Sequence, residues 1–179
     1  MKKSLIMLLA LPVLLASLVT PVAADDAFYS TNLNIGRDAV DVGDFTTTLS
    51  GDINDDPQIT FTYLIDVANT DWRLDETHLY VGDAPPTKSA PGRFPYKDEN
   101  LGGVVSDEYA FNLSEIDLDG DLIVYVAAHA QLTRQTGVDE AGEPIYAYET
   151  TWAQGDNPIG KGKNWATYFV LDFNEEPPE

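Results

Sequence analysis

The segment LIVYVAAHAQL, residues 122–132, is apolar on both sides when read as an extended strand. Successive strand side chains point to opposite faces. Leu122, Val124, Val126, Ala128, Ala130 and Leu132 therefore share one face, and Ile123, Tyr125, Ala127 and His129 share the other. A strand of this kind needs cover on both faces, which places it in the middle of a sheet or inside a sandwich.

Around it, no stretch carries the spacing of a long amphipathic helix. Short runs rich in Val, Ile, Thr, Tyr and Phe alternate with clusters of Pro, Gly, Asn and Asp. Strands are predicted at residues 45–49, 59–65, 77–81, 108–113, 122–132, 145–152 and 165–173. In 59–65, Ile59, Phe61, Tyr63 and Ile65 share a face opposite Thr60 and Thr62, which predicts the half-buried second strand of a hairpin after the turn GDINDDPQ. Residues 82–103, with four prolines and four glycines, read as a long ordered loop, and 135–144 and 153–164 as further loops. Strands at this spacing predict an all-β, antiparallel β-sandwich of seven or eight strands.

The N-terminus predicts export. Lys2 and Lys3 precede an apolar run from Leu5 to Val19, and Val22, Ala23 and Ala24 offer the small residues of a cleavage site before Asp25. The run is short for a membrane span of about 20 residues. The expected domains are a signal peptide over 1–24, one β-sandwich over 25–173 and an acidic, Pro-containing tail over 174–179. An exported chain with no cysteine takes its stability from its core, from a bound ion or from both. Its destination is extracellular, cell-surface or periplasmic.

The 30 acidic residues outnumber the 10 basic ones, for a net charge of −20. This charge repels nucleic acid phosphates and anionic membrane surfaces, so neither is an expected partner. Solubility, adaptation to high salt and cation binding each account for such acidity.

Two acidic stretches have the alternate spacing of calcium ligands. In DINDD, Asp52, Asn54 and Asp56 alternate, but Pro57 stands where an EF-hand needs Gly and Tyr63 where it needs the closing Glu. In DLDGD, Asp117, Asp119 and Asp121 alternate at a strand entrance and are the candidate calcium ligands. Glu76, His78 and His129 could converge into a zinc- or iron-binding set only if their strands pair; otherwise each histidine is a locally hydrogen-bonded strand residue. Trp72 and Trp152 flank predicted loops and are the candidate sugar-stacking residues, whereas Trp165 falls on a core face. Asn112, Leu113 and Ser114 form a glycosylation sequon, meaningful only in a host with that machinery. No nucleophile elbow, phosphate loop or HExxH motif is present.

The segments LDETHLYVGDAPPTKSAPGRFPYK (74–97), LIVYVAAHAQL (122–132), ETTWAQG (149–155) and GKNWATYFVLDF (162–173) resemble a secreted β-domain of unknown function from bacterial and archaeal surface-associated proteins. The resemblance spans roughly Ala39 to Phe173. It implies an exported, non-enzymatic domain and no established ligand. The expected function is a secreted or surface-associated binding or structural domain in adhesion, matrix or envelope, with a surface or extracellular protein or a glycan as partner. A carbohydrate-binding module is the alternative, followed by a metal-dependent enzyme.

Overall fold

The computed structural model describes residues 27–36, 39–160 and 165–174. The expected signal peptide, and the tail beyond Asn174, lie outside the described residues. The chain is all-β: β1 (Tyr29–Ile35), β2 (Val40–Ser50), β3 (Gln58–Ile65), β4 (Arg73–Gly82), β5 (Tyr96–Asp98), β6 (Ser106–Asn112), β7 (Ile123–Val138), β8 (Pro144–Ala153), β9 (Asn157–Pro158) and β10 (Thr167–Asp172). One helical turn, α1 (Leu113–Ile116), follows β6.

Every pairing is antiparallel, in the order β5-β4-β7-β8-β1-β2-β3-β6. The entrance of β7 also pairs with β10, Phe169 opposite Val126 and Asp172 opposite Ile123. The predicted hairpin is β2 and β3, in continuous register from Gly43 opposite Ile65 to Ser50 opposite Gln58.

The expected sandwich of two facing sheets is not what encloses the core. A single sheet curls into a half-barrel, and its two ends meet through the chain between β5 and β6. Leu74 of β4 bridges to Val104, while the Ile65 amide of β3 donates to the Val105 carbonyl at 2.9 Å. Side chains fasten the same seam: the Thr77 hydroxyl donates to Asp107 and lies 2.7 Å from the Tyr109 hydroxyl, and Tyr63 donates to the His78 carbonyl at 2.9 Å.

The doubly apolar segment is β7, and it is covered on both sides. Its inner face, Val124, Val126, Ala128, Ala130 and Leu132, packs with Phe45, Phe61, Tyr63, Leu79 and Phe169. Its outer face lies under a smaller cluster of Phe94, Ala127, Trp152, Ile159 and Ala166, with Tyr80, Trp165 and Tyr168 against it. Phe94, Ile159, Trp165 and Ala166 of this layer lie outside the strands, so a strand covered on both faces does not require a second sheet. Trp165 accordingly packs in the outer cluster ahead of β10.

Gly155 is fixed by the close crossing of this outer segment over β10. A Cβ at that position would sit 2.3 Å from the Tyr168 carbonyl oxygen, so only glycine fits there without backbone movement.

The structure differs from the predicted loop at 135–144. β7 continues to Val138 and β8 starts at Pro144, leaving a short connection between them. β1 and β5 were also absent from the predicted strands.

Candidate functional site

Pairing of β4 with β7 sets His78 directly opposite His129. Both are buried, and their Nδ1 atoms are 3.3 Å apart. Burial lowers the pKa of each, that of His129 to about 3, with the His78 charge adding to the effect. Both rings are therefore neutral at pH 7, one Nδ1 donating its proton to the other. Glu76 approaches the far nitrogen of His78, with Oε2 3.8 Å from Nε2. The predicted trio is thus adjacent, but its carboxylate and His129 engage opposite nitrogens of His78, so the three do not point to one centre.

The acidic loop before β7 is regrouped by the fold. Carboxylate oxygens of Asp83, Asp117 and Asp119 lie within 4.8 Å of one another, with Asp83 arriving from the loop after β4. Asp121 instead accepts the Ile123 amide at 2.8 Å. Asp117 is buried, and its two oxygens accept the amides of Gly120 at 3.1 Å and Leu122 at 2.9 Å. Asp83 accepts the Leu118 amide at 2.9 Å. These bonds hold Leu122 at φ +64°, an uncommon backbone for a bulky residue, as the chain turns into β7. Each carboxylate oxygen has a second lone pair, so the same three groups could also hold a cation.

Trp72 and Trp152, the candidate stacking residues, are only 8% and 6% exposed. The Arg134 guanidinium lies 4.5 Å over the Trp72 ring, and Trp152 meets Phe94, His129 and Trp165 edge-on. Little ring face is left to a ligand at either position.

The exposed rings lie elsewhere. Beyond Thr133, β7 and β8 leave the half-barrel as a two-stranded arm. The β1 ladder reaches β8 only at Thr151, Trp152 and Ala153, so Pro144–Thr150 pairs with β7 alone. Arg134 to Val138 are all exposed on the outgoing strand, and only Ala147 is part-buried between Pro144 and Thr150 on the return. The arm displays Val138, Ile145, Tyr146 and Tyr148 at 60%, 48%, 46% and 58% exposure. The sequence pattern predicts the return strand, 145–152, but not the outgoing one, because Arg134 to Val138 bury neither face and strand alternation appears only where one face is buried. A tyrosine pair two residues apart was the available signal.

At the base of the arm lies a groove of about 440 Å³. Asp71, Arg73 and Asp75 from the start of β4, Gly102 and Gly103 from the following loop, and Thr133, Arg134, Gln135, Tyr146 and Tyr148 from the arm line it. Arg73 donates from Nη1 to the Trp72 carbonyl at 2.7 Å, which fixes its head at the groove wall.

The buried Thr77 with the part-buried Asp107 and Tyr109 forms another polar cluster among the described residues. Partial burial raises the pKa of Asp107 from its ordinary value and that of Tyr109 to about 12. It sits at the seam of the half-barrel, and neither the arm groove nor the smaller one lined by Tyr80, Lys88 and Arg93 reaches it. Among the described residues, no helix is long and apolar enough to cross a membrane. No family model, curated protein or solved structure matches the chain.

Proposed function

We propose that the chain is an exported, non-enzymatic binding domain, an adhesion, matrix or envelope component, that makes contact through the β7–β8 arm. The observation that carries this reading is the concentration of exposed Val138, Ile145, Tyr146 and Tyr148 on a ribbon buried on neither face. A two-stranded ribbon alone is marginal in water, and clustered exposed apolar side chains mark interaction sites. The half-barrel anchors the ribbon and projects it. The non-enzymatic reading is supported by the neutral histidine pair, which lies off both grooves. Export is supported by the charged and apolar pattern of residues 1–24. Calcium is proposed as a structural ion on Asp83, Asp117 and Asp119, where it would tie the loop after β4 to the entrance of β7.

The test is co-sedimentation of purified protein with envelope material from cells that encode it. The wild type should pellet, while the Tyr146→Ser, Tyr148→Ser double variant stays in the supernatant with an unchanged melting temperature. Equal pelleting of the two, or no pelleting of the wild type, overturns the reading.

A further inference from the structure

We propose that the groove at the base of the arm binds an uncharged saccharide. This rests on the reading of the arm as the contact element and adds the chemistry of what it contacts. Asp71, Arg73, Asp75 and Arg134 surround a space of about 440 Å³, within the roughly 300–1,000 Å³ of small-molecule sites.

Among the described residues, neither guanidinium forms an ion pair; Lys97 pairs with Glu99, and the neutral His78 only lies near Glu76 and Glu99. In so acidic a chain, two arginines that line one groove and make no ion pair among the described residues leave donors for a ligand. Both heads are held in place, Arg73 by the Trp72 carbonyl and Arg134 over the Trp72 ring. Each guanidinium has five N–H groups, so these contacts leave donors free.

The mixture of signs selects the ligand class. A polyanion entering the groove meets Asp71 and Asp75, and a polycation meets Arg73 and Arg134. A hydroxyl both donates and accepts, so a ring bearing several satisfies both kinds of wall without bringing charge of its own. Tyr146 and Tyr148 complete the match. They project from the same face of β8, opposite Gln135 and Thr133 respectively, and offer two neighbouring aromatic surfaces. Aromatic residues with a polar tip suit a partner that is apolar on its ring face and polar at its rim. Two such rings along one strand fit a chain of sugar units.

The experiment is native electrophoresis of the full chain through gels cast with soluble dextran, mannan, laminarin or xyloglucan, with an alginate gel as the acidic comparison. The expected result is retardation in at least one neutral gel. It should be lost in Tyr148→Ala and in Arg134→Lys, which keeps the charge but not the planar fork, and kept in Arg93→Ala at the other groove. Tyr148 is exposed, so a melting curve matching the wild type separates lost binding from lost folding. No retardation in the neutral gels, retardation in alginate alone, or equal retardation of every variant overturns the proposal. If Tyr146 and Tyr148 still govern envelope co-sedimentation in that case, the arm reading stands without the saccharide.

Discussion

His78 and His129 face each other across the β4–β7 ladder with their Nδ1 atoms 3.3 Å apart, both buried, with Trp152 of β8 edge-on to the His129 ring. Only one of the two can carry a proton at that contact. The pair is a polar tie inside an apolar layer, and it is broken when both Nδ1 atoms are protonated.

A pH dependence follows. Burial lowers the pKa of His129 to about 3, below the ordinary value of 6.5, and lowers that of His78 as well. The unfolded chain therefore binds more protons than the folded one between these values. Stability is fully present above about pH 6.5 and declines as pH falls, by up to about 1.4 kcal/mol per pH unit for each such histidine. Asp44, Glu76 and Asp107 have raised pKa values and act in the opposite sense, stabilising the fold as pH falls. Comparison with His129→Asn isolates the histidine contribution. Denaturant melts between pH 7 and 5 should show a steeper loss for the wild type than for the variant; parallel slopes would contradict the buried neutral pair. Stoichiometric zinc, lost in His78→Ala and His129→Ala alike, would contradict it also.

The acidic charge and the Asp83 cluster separate by ion. At −20, the folded chain concentrates like charges, and the screening length falls from about 30 Å at 0.01 M salt to about 3 Å at 1 M, so sodium chloride should raise the melting temperature. Millimolar calcium at matched ionic strength should raise it further, through binding to the native state. Asp83→Asn should remove that increment and Asp121→Asn should leave it. Identical melts in calcium and sodium would contradict the calcium proposal. Asp117→Ala should lose about 1–3 kcal/mol in either salt, because the Gly120 and Leu122 amides lose their acceptor.

Gly155 tests the loop layer. Alanine there would meet the Tyr168 backbone, whereas Gly92 has nothing within 4 Å of an added Cβ. Gly155→Ala should destabilise by about 1–3 kcal/mol, the range for overpacking, and Gly92→Ala by much less. Equal melting temperatures for the two variants would mean that the chain at Gly155 does not cross β10 as described.

The legible parts of the sequence were those where burial imprints a period. Ile59, Phe61, Tyr63 and Ile65 alternate because β3 has one buried face, and β7 is apolar on both because both are covered. What covers the outer face was not legible, since Phe94 and Ile159 come from irregular segments without a period. The outgoing strand of the arm left no period because Arg134 to Val138 bury neither face, whereas the return strand is predicted at 145–152. Asp83 was missed beside Asp117 because loop approach between distant positions leaves no local trace. Trp72 and Trp152 lie near strand ends yet are buried, because Arg134 covers one ring and Phe94, His129 and Trp165 enclose the other.

Whether the arm makes the contact can be read by hydroxyl-radical footprinting of the protein, free and bound to envelope material of its own cells. Tyr146 and Tyr148, at 46% and 58% exposure, should oxidise readily in the free protein and be protected several-fold when bound. Leu118, at 76% exposure on the acidic loop, serves as the reference and should oxidise equally in both states. Undiminished oxidation of both tyrosines in the bound state, or protection at Leu118 instead, would place the contact elsewhere on the molecule.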